Sequence, residues 1–383
     1  MTTAVGAVPA TFYAVVGNSD YYWRVTAPAR AIGAKTILIP EMGGAAAVCS
    51  PNSDTVFPWN LREDDDTNFV DYPAHEGGSA VWTRPDMLRA IHARAMAKEH
   101  GIRTVSESDD NYMSDVKFNI YMKSNGFDKD HRKKHLQSMA SHDVCIFSTD
   151  YLRDAYYKAF KEILEFKSQI PKELYVVGNH VFESDWPELI PRDGPVRVGW
   201  MGSPSHIWDV DLAWPALLAA SLAGADVKMV GYDPSNPDHQ ITSKKSMDKV
   251  KQWRKVKFEH IGWQRMEWKS RLALPLDIGL APLLVNDFTL AKSDIKAVEY
   301  TIAGAAVVAS NMPVYNKNWV HGETALLAGS PSEMIDMTLL LMRDEKLRRR
   351  LVSNAQQYVR EERSLEKNAY QWREAVTGYR EMS

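Results

Sequence analysis

The second half of the chain contains a glycine-led segment whose residue types could bind a phosphorylated ligand. An extended apolar pattern over 196–200 predicts a strand, and Gly202, Ser203 and His206 follow it. Glycine lets the backbone approach a ligand closely, while Ser203 supplies a hydroxyl donor and His206 could reach a phosphate or a sugar hydroxyl. The alternative is an ordinary proline-containing turn with a solvated histidine.

A second segment places positive charge at the start of a predicted helix over 294–303. Lys292 and Ser293 precede this helix, Lys296 lies in its first turn and Glu299 in its second. A helix N-terminus presents backbone N–H groups and partial positive charge, which suits a diphosphate. Glu299 could accept two hydroxyl hydrogen bonds of the kind a ribose offers. The alternative is an amphipathic helix with solvent-facing lysines.

The first half contributes candidates for contact with a second substrate. Asp109 and Asp110 follow a predicted strand over 102–105, and the carboxyl end of a parallel strand faces the ligand crevice. Either carboxylate could orient or deprotonate an acceptor hydroxyl, or could cap the next segment instead. Tyr22 and Arg24 could line an acceptor pocket, and core packing explains them equally well. The aspartate pair lacks the Asp-x-Asp spacing, so we expect no metal site.

Strands and helices alternate around these residues. The stretch 79–112 has a strand–helix–strand pattern, which indicates a parallel sheet. We predict an α/β fold of two Rossmann-like domains that face a central cleft. The N-terminal domain spans 1–180 and the C-terminal domain spans 194–363. A last helix within 364–383 is expected to pack back on the N-terminal domain.

Composition excludes several other classes of protein. The 383 residues are 45% hydrophobic and carry a net charge of −3, so the chain is neither disordered nor globally basic. The basic run 244–257, and more weakly 117–134, could follow a phosphate backbone, although a solvated helix face is the alternative. Cys49 and Cys145 have no metal-ligand spacing and indicate a reducing, cytoplasmic environment. No stretch reaches the about 18–20 apolar residues of a membrane span, so we expect no integral membrane segment.

The helix-start segment resembles the donor-site block of the retaining family 4 glycosyltransferases, which have the GT-B architecture. One branch of that family shows the pattern K-S-x-x-K-x-x-E-Y, followed by a V-V-A-S strand. The matching residues of this sequence are Lys292, Ser293, Lys296, Glu299 and Tyr300. The segments GSPSH at 202–206 and HGETALL at 321–327 also resemble that branch. The resemblance covers the C-terminal half well and the N-terminal half weakly.

The resemblance implies transfer of a hexose from a nucleoside diphosphate sugar, such as a UDP-sugar, to an acceptor hydroxyl with retention of configuration. It implies no cofactor beyond this co-substrate, and it leaves the acceptor open among a glycan, a lipid and a hydroxylated base of modified DNA. Many members carry a glutamate eight positions before the one matching Glu299, and here that position is Ala291. A non-catalytic nucleotide-sugar-binding or interaction module on a degenerate GT-B scaffold is therefore the alternative. The absence of G-x-G-x-x-G from the sequence argues against hydride transfer.

Overall fold

Within the part of the chain that the structure describes, the strands form two separate sheets. The computed structural model describes residues 10–15, 22–39, 46–49, 56–59, 79–83, 101–115, 129–164, 170–171, 173–189, 194–236, 244–262 and 276–379. The helix expected between the two strands of the stretch 79–112 lies outside the described residues, as does much of the basic stretch 117–134.

The first sheet has eight strands in the order β4-β3-β2-β1-β5-β6-β7-β8. Its strands are β1 (Ala10–Val15), β2 (Lys35–Ile39), β3 (Ala46–Cys49), β4 (Val56–Trp59), β5 (Ser79–Thr83), β6 (Arg103–Ser108), β7 (Val144–Phe147) and β8 (Glu173–Val176). All pairs are parallel except β2 with β3 and β3 with β4. A π-helical turn (Tyr22–Thr26) leads into α1 (Ala27–Ile32), and α2 (Lys129–Ala140) and α3 (Asp150–Ile163) follow.

The second sheet has six parallel strands in the order β11-β10-β9-β12-β13-β14. They are β9 (Arg197–Gly202), β10 (Asp226–Gly231), β11 (Glu259–Gly262), β12 (Ile278–Ala281), β13 (Ala306–Ser310) and β14 (Leu326–Ala328). The helices of this half are α4 (Ile207–Leu222), α5 (Lys244–Trp253), α6 (Asp287–Leu290), α7 (Ile295–Ile302), α8 (Pro313–Asn316), α9 (Pro331–Arg343), α10 (Glu345–Glu362) and α11 (Leu365–Thr377). Within the described residues, none of the helices is both long and apolar enough to cross a membrane.

The strand order of the second sheet creates a switch point between β9 and β12. From this gap the chain order runs outward in both directions, as in a doubly wound Rossmann sheet. Ligands bind such sheets at the carboxyl ends of the strands beside the switch point. The loops in that position are 203–206, after β9, and 282–286, after β12.

Helix α7 is fixed to the sheet by its central tyrosine. Tyr300 is buried, its hydroxyl donates to the Leu280 carbonyl at 3.1 Å, and it accepts the Met201 N–H at 2.9 Å. The ring lies directly over Gly279, where an added Cβ would be only 2.4 Å from a ring carbon. Glycine at 279 therefore allows α7 to approach the sheet closely, and the two hydrogen bonds set the helix beside both β9 and β12.

The C-terminal helix α11 packs against the first sheet. Its buried residues Leu365, Trp372, Ala375 and Val376 share one apolar cluster with strand residues that include Val105 and Val144. The Arg24 guanidinium lies 4.7 Å from the centre of the Trp372 ring. The chain thus returns after the second sheet, and its last helix completes the apolar core of the first half.

Removing the Trp372 side chain is expected to destabilise the protein strongly. Trp372 is fully buried, and truncation of a buried tryptophan to alanine costs about 3–5 kcal/mol. The free energy of unfolding of Trp372→Ala, measured by denaturant titration, should fall by that amount. The matched control is Tyr370→Ala on the same helix, because Tyr370 is 52% exposed and its loss should cost about 0.5 kcal/mol or less.

Candidate functional site

The end of β9 forms a tight glycine corner at the switch point. A Cβ at Gly202 would lie 2.5 Å from the buried Trp200 ring and 3.1 Å from Lys296 Nζ. Any larger residue would push the ring or the lysine aside, so this corner requires glycine. Ser203 follows, and the turn Pro204–His206 leads directly into α4.

His206 is partly buried and pairs with a buried carboxylate. Its Nδ1 lies 2.8 Å from Asp209 Oδ2, and Asp209 Oδ1 accepts the Leu284 N–H at 2.8 Å. Asp209 therefore connects the loop after β9 to the loop after β12, the two loops of the switch point. Burial lowers the pKa of His206 from 6.5 to about 4; the nearby Lys296 also lowers it, while the hydrogen bond to Asp209 opposes both.

Lys296 brings a partly buried positive charge to the same corner. Its Nζ donates to the Met201 carbonyl at 2.6 Å and lies 5.0 Å from the centre of the Trp200 ring. Burial lowers the pKa of Lys296 from 10.5 to about 8, and the charges of Glu299 and Asp209 oppose this shift. A partly buried cation beside a glycine loop provides a local field that favours an anion.

Anion binding at this corner should weaken as the pH rises through about 8. Lys296 is charged below its pKa and neutral above it, so its attraction for a diphosphate is complete below about 8 and is lost above that value. Beyond pH 8 the dissociation constant for UDP should rise by up to about tenfold per pH unit. The measurement is a titration series from pH 7 to 9.5. Lys296→Met should bind more weakly and show no such rise, and an equal rise in that variant would assign the effect to another group.

Three donor-site candidates each contact a residue of the first half of the chain. Lys292 Nζ lies 2.7 Å from Asp110 Oδ1, and both side chains are 18% exposed. The other two contacts are Asn179 Nδ2 to Ser293 Oγ at 2.8 Å and Trp23 Nε1 to Glu299 Oε1 at 3.3 Å. Lys292, Ser293 and Glu299, which the sequence indicates as donor-site candidates, therefore also contact the first half of the chain.

The start of α7 is held in place by its cap residue. Asp294 is buried, accepts the Trp319 indole N–H at 2.9 Å and forms an ion pair with Arg363, which lies between α10 and α11. This carboxylate therefore fixes the helix start instead of capping its N–H groups with its own side chain. The fixed helix start in turn positions Lys296 and Glu299.

The acceptor-side candidates lie in different environments. Asp109 is partly buried beside Asp110. Tyr22 donates its hydroxyl to Asp185 Oδ2 at 2.5 Å, and burial raises its pKa. Arg24 is fully buried, with Nε 2.6 Å from Glu107 Oε1 and Nη1 donating to the Val177 carbonyl at 2.7 Å. Arg24 joins strand β6 to the segment after β8, and its burial agrees with the core-packing alternative.

The basic run of the second half forms an amphipathic helix. In α5, Val250 and Trp253 are buried. Lys249 pairs with Asp211 and lies 4.2 Å from the centre of the Trp208 ring. This part of the basic run packs on α4 as a surface helix, which agrees with the solvated-face alternative.

Three residues of the site were not found from the sequence. Asp209 orients His206, Asn179 contacts Ser293 and Trp23 contacts Glu299. Only Asp209 had a local signal, because residues three apart at the start of a helix are neighbours. Asn179 and Trp23 reach the site from the first half, 114 and 276 positions away in the chain.

The comparisons with known proteins agree on architecture. No family model and no curated protein sequence matches the chain. Among solved structures, sucrose-phosphate synthase of Thermosynechococcus elongatus superposes with a TM-score of 0.64 at 13% identity over 95% of this chain and 97% of that one. Anabaena HepE in complex with UDP-glucose has a TM-score of 0.57 at 12% identity, covering 79% of each chain. The fold of this chain is the GT-B fold.

A third GT-B structure extends this comparison. TarM of Staphylococcus aureus, solved with UDP and two carbohydrate ligands, has a TM-score of 0.54 at 13% identity over 78% of this chain. This chain covers 55% of the length of TarM. The predicted fold class is therefore confirmed.

Proposed function

We propose that this GT-B chain is a glycosyltransferase that moves a hexose from a nucleoside diphosphate sugar, UDP-glucose being the first candidate, to an acceptor hydroxyl with retention of configuration. One observation carries the proposal. The glycine corner at Gly202 lies against the Lys296 ammonium at the switch point of the second sheet, Glu299 follows on the next turn of α7, and Lys292 contacts Asp110 of the first half. The solved GT-B structures described above include complexes with UDP and UDP-glucose.

Each donor-site residue has a chemical task in this proposal. Lys292 and Lys296 neutralise the diphosphate as it leaves, an electrostatic role that matters most in a site shielded from water. Glu299 accepts the ribose hydroxyls, and Ser203 and Ser293 donate to phosphate oxygens. Asp110 or Asp109 orients the acceptor hydroxyl from the opposite side of the cleft.

The position at which many family members carry a glutamate is occupied here by a buried alanine. Ala291 is only 1% exposed and belongs to an apolar cluster with Phe147 and Leu152 of the first half. Its carbonyl accepts the Thr149 hydroxyl at 3.0 Å. A glutamate at 291 would bury a charge among apolar residues, which is costly. The sugar is therefore oriented by another group in this proposal, for which Asp110 is the candidate.

An acceptor assay tests the proposal. The protein is incubated with UDP-glucose and other nucleotide sugars, with and without panels of oligosaccharides and lipid-linked acceptors, and nucleoside diphosphate release is measured. We expect release that requires an acceptor, is lost in Glu299→Gln and yields an α-linked product by NMR. Donor binding without turnover on any acceptor would favour the non-catalytic module, and a β-linked product would overturn retention.

A further inference from the structure

The Nδ1 atom of the His206 imidazole is committed to a hydrogen bond with Asp209. Nδ1 lies 2.8 Å from Asp209 Oδ2, and the other oxygen of Asp209 accepts the Leu284 N–H at 2.8 Å. An ionised carboxylate only accepts hydrogen bonds, so the proton of the neutral ring resides on Nδ1. Nε2 of the neutral ring is then an acceptor and has no proton to offer an anion.

The groups around the ring set its charge. Asp209 faces it from α4, Lys296 from α7, Lys292 from the segment before α7, and the Trp200 ring centre lies 6.5 Å away on β9. Burial, Lys296 and Lys292 together lower the pKa of His206 to about 4, against the opposing hydrogen bond and charge of Asp209. The ring is therefore neutral at neutral pH. A diphosphate beside the two lysines would reverse the sign of the local field.

We infer that His206 takes up one proton when a sugar diphosphate binds, and that the resulting imidazolium donates Nδ1–H to Asp209 and Nε2–H to a phosphate oxygen. The inference rests on the proposed donor site. A neutral ring would turn the Nε2 lone pair toward an anionic oxygen, which is repulsive, whereas the imidazolium donates at both nitrogens. The proton comes from the buffer, and no covalent bond other than N–H is formed. Asp209 acts as a positioning residue that holds the ring and favours its charged form.

The sign of the pH dependence follows from this exchange. A group whose pKa is raised by a ligand strengthens binding at low pH, and that contribution is lost as the pH rises. Donor affinity should fall by up to about tenfold per pH unit between the pKa of His206 in the free protein and its higher pKa in the complex. Lys296, with a pKa of about 8, is already charged at pH 6, so a measurement at pH 6 isolates His206.

Calorimetric titration of UDP-glucose into the intact protein at pH 6 tests the inference. The binding enthalpy is compared in MES and cacodylate buffers, whose ionisation enthalpies differ, and the slope gives the protons taken up per ligand. UDP-glucose is the probe because its diphosphate diester has no group that titrates near this pH. We expect an uptake close to one proton for the wild type, near zero for His206→Gln and reduced for Asp209→Asn. Thermal melts confirm that both variants are folded.

The possible outcomes separate the inference from the proposed function. Binding of UDP-glucose with no proton uptake at pH 6 would overturn the inference and leave the donor site intact. An uptake that persists in His206→Gln would assign the proton to another group and would also overturn it. Absence of any binding, by calorimetry and by thermal shift, would overturn the donor site itself, and the inference with it.

Discussion

Replacing Lys292 with methionine is expected to lower kcat/KM for sugar transfer by about 10²–10³-fold, the cost of removing one preorganised group that stabilises developing charge. Lys292 is largely buried beside the first turn of α7, and its ammonium is one of two that influence the same histidine. Methionine keeps the length of the stem and removes the charge. Most of the loss should appear in kcat, because charge on the leaving diphosphate grows in the transition state.

The matched control for this prediction is Lys317→Met. Lys317 also joins the two halves of the chain, since its Nζ lies 2.7 Å from Asp150 Oδ2, but its side chain is 66% exposed. An exposed ion pair of this kind contributes little energy. Equal losses of kcat/KM in Lys292→Met and Lys317→Met would show that activity depends on the contact between the two halves of the chain and not on charge at the donor site.

Replacing Asp110 with asparagine should change donor affinity and turnover in opposite directions. Asp110 pairs with Lys292 at 2.7 Å, so a diphosphate that binds Lys292 competes with this carboxylate for the ammonium. Asparagine removes the competing charge, and we expect the dissociation constant for UDP-glucose to fall by about tenfold, or about 1.4 kcal/mol. Turnover should fall by about 10²–10⁴-fold, because the displaced carboxylate is then missing as the acceptor base.

Asp150→Asn is the control for Asp110→Asn, since it breaks a different ion pair between the two halves, that of Asp150 with Lys317, and changes no donor-site candidate. Donor dissociation constants come from titration and turnover from nucleotide release. A rise of the dissociation constant in Asp110→Asn would contradict the competition. Unchanged turnover in that variant would assign the acceptor role to Asp109.

Most of the architecture was predictable because each half repeats strongly patterned strands and helices. The strand predicted at 196–200 corresponds to β9, and the helix predicted at 294–303 corresponds to α7. Strands β3 and β4 were not predicted. They have four residues each and pair antiparallel at one edge of the first sheet, and Pro58 within β4 weakens the local signal for a strand.

The limits of prediction at the site follow from chain distance. Gly202, Lys296 and Glu299 could be proposed as donor-site candidates from the sequence because each lies a few residues from the end of a strand or the start of a helix. The pairing of Lys292 with Asp110 spans 182 positions, and no local pattern encodes such a contact. Burial of Arg24 was equally hidden, because its partner Glu107 lies on a strand that the sequence pattern ended at 105.

The donor site itself is tested most directly by the thermal stability of the protein with nucleotides. The unfolding of the wild type and of Glu299→Ala is followed with UDP, UDP-glucose and a panel of other nucleoside diphosphates and their sugars. A ligand at 100 times its dissociation constant should stabilise the wild type by about 2.7 kcal/mol, and the effect should be strongly reduced in Glu299→Ala. Stabilisation by one nucleotide and its loss in the variant is the expected result. No stabilisation by any nucleotide, or equal stabilisation of both proteins, would contradict the assignment of the donor site.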